Sequence, residues 1–331
     1  MRAVRLSGPR QLDLLELPDP EPADGEVVLR VAAAGICGSD LSCYKTGVFS
    51  GSVLGHEFSG VIERTGGGVE GYGTGDPVLV DPKLPCGVCV DCRSGAAYRC
   101  SQALTLGPGG ARDGGFAEFV SVPAFCLSPL PDGLPLADAC LTEPLAVAIH
   151  GIERAGGVRT GEDAIVVGLG PIGLLVVAAL RARGAGTITG VDPVEVRRGL
   201  AAELGADRVF ARIEDAPQGA PLVVECSGKP DLLMPVTHLA AAGGRVALLG
   251  VPIAEASVTA MIWVVREVSV IGAIASSPDD FRASAVLLAR EPGIARIITR
   301  RVALDGLSQA FEDLVSAPAD GKVVVEPGRR S

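Results

Sequence analysis

The spacing of hydrophobic and polar residues changes character twice along the chain, near residue 161 and near residue 279. Up to residue 161, short stretches such as 12–17 and 26–33 alternate apolar and polar positions, with glycine- and proline-rich turns between them. This alternation is typical of strands that bury one face. From 161 to 278, short apolar runs alternate with helical stretches, which is typical of βαβ units.

The middle section predicts a doubly wound parallel sheet. Its strands are expected over 164–167, 187–191, 208–210, 222–226 and 245–249, with a late strand pair over 264–273. Its helices are expected over 174–183 and 194–204, and a third ends at 242. The tail predicts helices over 281–288 and 307–316 and strands over 297–302 and 322–326. We interpret the tail as completing the first domain, so the predicted domains are residues 1–145 with 279–331, and residues 146–278.

The composition favours an α/β protein. Hydrophobic residues make up 48% of the chain and aromatic residues 4%, so the core must consist mainly of Ala, Val, Leu and Ile, as in parallel sheets flanked by helices. The formal net charge is -10 and the basic residues form no run. This charge pattern argues against a nucleic-acid partner.

No stretch predicts export or membrane insertion. Residues 1–10 lack the pattern of a secretory signal, and the longest apolar run, 165–180, is interrupted by glycine and proline and is too short for a span. We therefore expect a cytoplasmic protein with no membrane partner. Nine cysteines, an odd number at uneven spacing, then indicate metal ligands and buried thiols before disulfides.

The most specific local signal is a lobe of four cysteines with the spacing C-x2-C-x2-C-x7-C. Its members are Cys86, Cys89, Cys92 and Cys100. Four thiolates at this spacing can surround one Zn²⁺ and leave no open position, which is typical of a structural site. Disulfides and an iron-sulfur cluster are the alternatives; the expected compartment disfavours the first and the spacing disfavours the second.

A second group of metal-binding residue types lies nearer the start of the chain. It consists of Cys37, Ser39 and Asp40, followed by His56 and Glu57. A thiolate, an imidazole and a carboxylate form a donor set suited to catalytic Zn²⁺. Glu143 precedes a proline at the entrance to a predicted helix, and it is either a cap for that helix or a carboxylate pointed into a cleft.

A G-x-G-x-x-G motif joins the first strand of the middle section to its first helix. The motif contains Gly168, Gly170, Pro171, Ile172 and Gly173. Its glycines permit a tight turn, close approach of the backbone to a pyrophosphate and close packing of helix on strand. Asp192 ends the next strand and is placed for ribose hydroxyls, while Ser227 and Gly250 follow later strand ends, where doubly wound sheets hold ligands. A glycine-rich turn without a ligand is the alternative.

Together these residues resemble the medium-chain, zinc-dependent alcohol dehydrogenases, and most closely their polyol (sorbitol) and threonine dehydrogenase branch. The resemblance covers nearly the whole chain. It implies a GroES-like catalytic domain, formed by the N-terminal half and the tail, with an inserted Rossmann domain. The late strand pair of the Rossmann domain is a candidate subunit contact, which favours a homodimer or homotetramer.

The resemblance also implies roles for individual residues. Cys37, His56 and Glu57 would hold the catalytic zinc, and Glu143 would bind that zinc or its water. Asp40 would hydrogen-bond the far nitrogen of His56 and fix its tautomer. With the four-cysteine lobe, the expected metal content is two zinc ions per chain.

The implied reaction transfers a hydride from an alcohol carbon to a nicotinamide, and the zinc lowers the pKa of the substrate hydroxyl. Ser39 matches the hydroxyl that relays the alcohol proton, with a helix N-cap as its alternative role. The third residue after it, a histidine in many relatives, is Ser42 here, so we expect proton release through water at that point. Asp192 would repel a 2′-phosphate, which favours NAD over NADP, and Arg197 would lie along the adenine.

Two other functions are compatible with such a fold. A zinc-free quinone or enoyl reductase would need neither the Cys37 group nor the four-cysteine lobe, and a non-catalytic NAD-binding protein would keep the fold alone. We expect a small-molecule substrate, a secondary alcohol in a polyol, cyclitol or amino alcohol that is converted to the ketone. Its identity is not encoded in any residue pattern of this chain.

Overall fold

A computed structural model of the chain describes residues 1–109, 112–317 and 321–329. Its strands are β1 (Arg2–Gly8), β2 (Gln11–Glu16), β3 (Glu26–Gly35), β4 (Glu57–Thr65), β5 (Pro77–Val80), β6 (Lys83–Leu84), β7 (Leu104–Thr105), β8 (Phe119–Pro123), β9 (Leu127–Pro129), β10 (Ala164–Val167), β11 (Ile188–Val191), β12 (Arg208–Phe210), β13 (Ala220–Glu225), β14 (Ala240–Leu248), β15 (Ser269–Gly272), β16 (Ile298–Val302) and β17 (Lys322–Val325). Its helices are α1 (Gly38–Thr46), α2 (Val90–Arg93), α3 (Thr142–Arg154), α4 (Pro171–Ala182), α5 (Glu195–Glu203), α6 (Leu233–Leu239), α7 (Met261–Val265), α8 (Pro278–Arg290) and α9 (Leu307–Ser316).

The chain divides into two compact units, Met1–Glu143 with Ser277–Ser331, and Pro144–Ser276. The tail thus belongs to the same compact unit as the N-terminal half. The assignment of functional domains to residues 1–145 with 279–331 and to 146–278 stays a prediction. None of the described helices combines the length and the apolar character that a bilayer span requires.

The first unit is built on a sheet in which β3 is central. The strand order is β16-β17-β3-β4-β5-β9, and β8 pairs with β3 as well. All pairs are antiparallel except β16 with β17. At the end of β3, Gly35 is opposite Glu57 on β4 and Val324 on β17. This register brings three separate parts of the sequence to the point where α1 begins.

An aromatic cluster holds α1 against α9 within this unit. Tyr44 on α1 contacts Phe311 on α9 edge to face, with ring centroids 5.1 Å apart, and Phe311 also contacts Phe116 at 6.0 Å. All three rings are buried. The Tyr44 hydroxyl donates a hydrogen bond to the Arg10 carbonyl at 3.1 Å, so its polar end is satisfied at the edge of the core. These contacts fix α1, and with it the first turn that follows Cys37, to the core of the unit.

The second unit confirms the predicted parallel sheet. Its strand order is β12-β11-β10-β13-β14-β15, and every neighbouring pair is parallel. Strands β10 and β13 consist mainly of buried aliphatic residues, and all four residues of β11 are buried. A short aliphatic strand followed by a helix is the arrangement that a doubly wound sheet requires.

Two sequence predictions in this unit are wrong in their bounds. The stretch 264–273 forms only the short strand β15, and its first residues belong to helix α7. The Arg266 amide donates to the Ile262 carbonyl at 3.1 Å, so local helical bonds outweigh the strand preference of a β-branched run. The helix predicted to reach 242 stops at Leu239, because Ala240 pairs with Ala220 at the start of β14.

Candidate metal centres and dinucleotide turn

Cys37 lies where β3 ends and α1 begins, in an extended conformation with φ -96° and ψ 160°. Its amide donates to the Asp40 carboxylate at 2.9 Å, and the other oxygen of Asp40 accepts from the Gly55 amide at 3.3 Å. Asp40 is completely buried. This single carboxylate therefore joins the segment that carries Cys37 to the segment that carries His56.

The start of α1 also decides whether Ser39 is the N-cap of that helix. Cys37 is the N-cap residue of α1, so Ser39 lies inside the first turn and is not the cap. Ser39 is exposed. Ser39 is thus accessible to solvent, and its role as a proton relay stays a prediction.

Cys37, His56 and Glu57 bring together a sulfur, an imidazole nitrogen and a carboxylate oxygen that all lie within 4.8 Å of one another. The Nδ1 atom of His56 is buried and has no hydrogen-bond partner among the described residues. This nitrogen faces the Asp40 carboxylate at 3.7 Å, so the metal assignment rests on the donor set and its spacing. The donor chemistry and the close spacing both fit Zn²⁺.

The contact between His56 and Asp40 differs from the expected hydrogen bond. Their nearest nitrogen and oxygen atoms are 3.7 Å apart, which is too long for a hydrogen bond, so the interaction is electrostatic. Burial acts to lower the pKa of His56, but the neighbouring Cys37 thiolate and Asp40 carboxylate act in the opposite direction, and the pKa is well above its usual range. The imidazole thus lies in a strongly negative environment, as a cation site requires.

Glu143 lies in the first turn of α3 and is not among the three donors that group within 4.8 Å in the described part of the chain. Burial raises the pKa of Glu143; nearby His56 acts to lower it and nearby Glu57 to raise it. Glu143 thus lies within electrostatic reach of the cluster. Its role as a ligand, directly or through water, stays a prediction.

Lys322 is a residue of this site that sequence reasoning missed. Its ammonium donates to a Glu57 oxygen at 2.6 Å, and both side chains are buried, at 2% and 1% exposure. The available signal was a lysine at the start of the aliphatic strand β17, where an unpaired charge would be costly.

The four-cysteine lobe lies between β6 and β7, and its sulfur atoms converge. The Cys89 and Cys92 sulfurs are 3.4 Å apart and the Cys86 and Cys92 sulfurs 4.0 Å apart. A disulfide requires about 2.05 Å, whereas tetrahedral thiolates about 2.3 Å from one zinc are separated by about 3.8 Å. Backbone amides of Val88 and Cys89 lower the pKa of Cys86 to about 6, whereas burial and the neighbouring Cys89 sulfur raise the pKa of Cys92 to about 12, so the sulfur spacing and not the pKa values supports the metal. The lobe fits a structural zinc and not a disulfide.

The glycine motif forms the turn from β10 into α4, and each glycine has a different reason to lack a side chain. Gly168 has φ +87°, and a Cβ there would lie 2.7 Å from the Ser227 nitrogen. A Cβ on Gly173 would lie 1.9 Å from the Gly168 carbonyl oxygen. Around Gly170, the N-cap of α4, the space is open, and no side chain caps the helix. The N-terminus of α4 thus has no side-chain cap, as at helix N-termini that bind phosphates, and phosphate binding here stays a prediction.

Asp192 lies at the end of β11 and is buried. Its oxygens accept from the Leu169 amide and the Val194 amide, each at 2.8 Å, and Arg197 approaches to 3.4 Å. A carboxylate has about four acceptor positions. Asp192 is thus fixed beside the glycine turn and retains capacity for further donors such as ribose hydroxyls.

Ser227 and Gly250 are brought together by Glu225, which sequence reasoning also missed. Glu225 is buried, and its carboxylate accepts from the Ser227 amide at 2.6 Å and from the Gly228 amide at 3.1 Å. A Cβ on Gly250 would lie 2.5 Å from the same carboxylate. The sequence feature that could have indicated this role is an acidic residue, Glu225, at the end of the aliphatic strand β13.

Comparisons with known proteins agree with this geometry. The alcohol dehydrogenase GroES-like domain family matches residues 23–132, and the zinc-binding dehydrogenase family matches residues 171–290. The chain is 33% identical to an L-threonine 3-dehydrogenase of Bacillus velezensis over 335 residues, 95% of each chain. It is 32% identical to a D-altritol 5-dehydrogenase of Agrobacterium fabrum over 335 residues, 98% of each chain.

A solved structure from Sinorhizobium meliloti 1021, a zinc-binding dehydrogenase with NADP bound, superimposes with a TM-score of 0.88. It is 32% identical, and the match covers 98% of this chain and 99% of that chain. These similarities confirm the predicted combination of a GroES-like and a Rossmann architecture.

Proposed function

The chain belongs to the zinc-dependent medium-chain alcohol dehydrogenases, and we propose that it oxidises a secondary alcohol to a ketone with NAD as the hydride acceptor. The observation that carries this proposal is the cluster of Cys37, His56 and Glu57, whose donor atoms lie within 4.8 Å of one another. Zinc-free reductases on this fold need neither this cluster nor the four-cysteine lobe. The presence of both therefore opposes the quinone or enoyl reductase alternative.

The residues of this chain have separable roles in the proposed reaction. Bound zinc supplies Lewis acidity towards the substrate oxygen, and bound NAD supplies the hydride acceptor. Asp40 holds the cysteine and histidine segments in register. Ser39 relays the alcohol proton: its hydroxyl oxygen accepts that proton as its own hydroxyl proton passes on, and the exposure of Ser39 supports this role. The Ser42 hydroxyl donates to the Gly38 carbonyl at 3.1 Å, so we assign the next proton transfer to water.

The proposed substrate is a polyol, a cyclitol or an amino alcohol. The two relatives described above are named for threonine and for altritol, an amino alcohol and a polyol. Incubation of the purified enzyme with NAD and a panel of polyols, cyclitols, threonine and simple primary alcohols tests this class by nicotinamide absorbance. We expect turnover with a secondary alcohol. Activity on none of the hydroxylated compounds would contradict the proposal.

The preference for NAD rests on Asp192. Its buried carboxylate would repel the 2′-phosphate of NADP, although Arg197 lies 3.4 Å away and offsets part of that charge. We expect faster reduction of NAD than of NADP at equal concentration and with the same alcohol. A higher rate with NADP, the nucleotide bound to the Sinorhizobium meliloti protein, would overturn this preference.

Two glycine substitutions separate cofactor binding from folding. In Gly170→Ala the new methyl group meets no protein atom, so we expect little change in the unfolding temperature. The methyl group would, however, occupy the space proposed for the pyrophosphate, so the Kd for NAD should rise at least about tenfold. In Gly173→Ala the methyl group meets the Gly168 carbonyl at 1.9 Å, so both stability and binding should fall. Thermal unfolding and NAD titration check both variants. Unchanged NAD affinity in Gly170→Ala would show that the pyrophosphate binds elsewhere.

The proposal includes a homo-oligomer formed through the edge of the parallel sheet. Strand β15 ends the sheet, and the helix before it exposes Met261, Val264 and Val265 at 66%, 77% and 75%. Exposed aliphatic residues beside a sheet edge are typical of an interface. Sedimentation velocity of the purified protein is expected to give a dimer or tetramer, and a purely monomeric species would contradict this part of the proposal.

A further inference from the structure

The ion pair between Lys322 and Glu57 is unusual in its burial. The two side chains are 2% and 1% exposed, and the ammonium contacts both carboxylate oxygens, one of them at 2.6 Å. Removing one partner from such a pair leaves an uncompensated buried charge, which is strongly destabilising. Removal of either Lys322 or Glu57 alone should therefore destabilise the folded protein.

The backbone beside this pair is shaped to accommodate it. A Cβ on Gly35 would lie 2.1 Å from a Glu57 oxygen and 2.8 Å from the Cε atom of Lys322. Gly35 is opposite Glu57 on β4 and pairs with Val324 on β17. The absence of a side chain at Gly35, two residues before Cys37, therefore lets a carboxylate and an ammonium from two different strands meet at the end of β3.

Glu57 also belongs to the metal cluster. Its carboxylate contacts the ammonium of Lys322 and would also contact a cation bound by Cys37 and His56, so the ammonium and the cation would compete for the same negative charge. The Lys322 ammonium is held within hydrogen-bond distance of Glu57, at 2.6 Å, on a side chain that is 2% exposed. Lys322 is thus a fixed positive charge beside the site.

We propose that Lys322 is a positioning residue that shares the Glu57 carboxylate with the metal, so that it weakens metal binding while keeping the metal-free site folded. The inference rests on the proposed zinc site at Cys37, His56 and Glu57. Without Lys322 the folded, metal-free protein holds an unpaired buried carboxylate, and zinc then relieves that cost on binding. Linkage requires that zinc bind more tightly to such a variant.

The test compares Lys322→Met and Lys322→Gln with the wild type in the same buffer. Zinc affinity is measured by chelator competition. Of the two zinc ions per chain, the one at the catalytic site is identified as the ion that is missing from Cys37→Ala. Unfolding is followed with and without zinc. We expect at least a tenfold increase in affinity at the catalytic site, and a drop in unfolding temperature that is larger without zinc than with it.

Two further variants separate this role from ordinary packing. Lys322→Arg keeps the charge and should return the zinc affinity towards the wild-type value. Arg245→Met breaks another largely buried ion pair, the 2.6 Å contact with Glu162, and should lower the unfolding temperature without changing the zinc affinity.

Two outcomes would overturn the inference: zinc binding unchanged or weakened in both uncharged variants, or equal losses of stability with and without zinc. A wild-type protein that binds only the zinc of the four-cysteine lobe would instead refute the proposed function itself.

Discussion

Cys37→Ala is expected to lower turnover by on the order of a thousandfold or more while NAD binding is retained. A Lewis-acidic metal contributes several kcal/mol to the stabilisation of transition-state charge, and each 1.4 kcal/mol or so corresponds to a factor of about ten in rate. Cys37 is one of only three donors that group within 4.8 Å in the described part of this site. Its removal leaves an imidazole and a carboxylate, too few to hold the ion.

Metal analysis, kinetics and NAD titration together check this prediction. The wild type should contain two zinc ions per chain and Cys37→Ala one, with an unchanged Kd for NAD. The matched control is Cys43→Ala on the same helix, whose buried thiol packs in the hydrophobic core. The control should keep both zinc ions and most of the activity. A Cys37→Ala enzyme with full turnover would rule out the dehydrogenase mechanism proposed here.

The parts of the fold and site that could be predicted from the sequence are those encoded by short-range patterns. The turn from β10 into α4 follows from glycines whose steric roles act within a few residues or against one neighbouring strand. The four-cysteine lobe closes within fifteen residues, from Cys86 to Cys100. In both cases the spacing along the chain already determines the spacing in space.

The parts that could not be predicted depend on residues far apart in the sequence. Lys322 meets Glu57 across 265 positions, and only the register of β17, β3 and β4 brings them together. The role of Glu225 depends on the path of the chain after β13, which no local motif specifies. Helix α7 was missed because its β-branched residues favour a strand. That preference comes from packing against neighbouring strands, and the exposed residues of α7 have no such packing.

The second large effect is expected at the four-cysteine lobe. Cys100→Ser should remove the structural zinc and lower the free energy of unfolding by at least about 3 kcal/mol, because loss of a structural metal belongs to the most destabilising class of single substitutions. Within the described residues the lobe is supported by two short strands, the four-residue helix α2 and one turn of 3-10 helix at Ala97–Arg99. Its sulfurs are 3.4 and 4.0 Å apart in two of their pairs, and without a cation these thiolates would repel one another.

Denaturant unfolding, limited proteolysis and metal analysis measure this effect. Cys100→Ser should contain one zinc, retain the zinc that Cys37→Ala loses, and become sensitive to cleavage within residues 86–100. Cys126→Ala is the matched control, since Cys126 is a buried thiol of the same unit outside both metal groups. It should lose some packing energy but no metal. Because the two zinc sites respond to different substitutions, Cys100→Ser with two zinc ions and wild-type stability would refute the structural role of the lobe and leave the catalytic site unaffected.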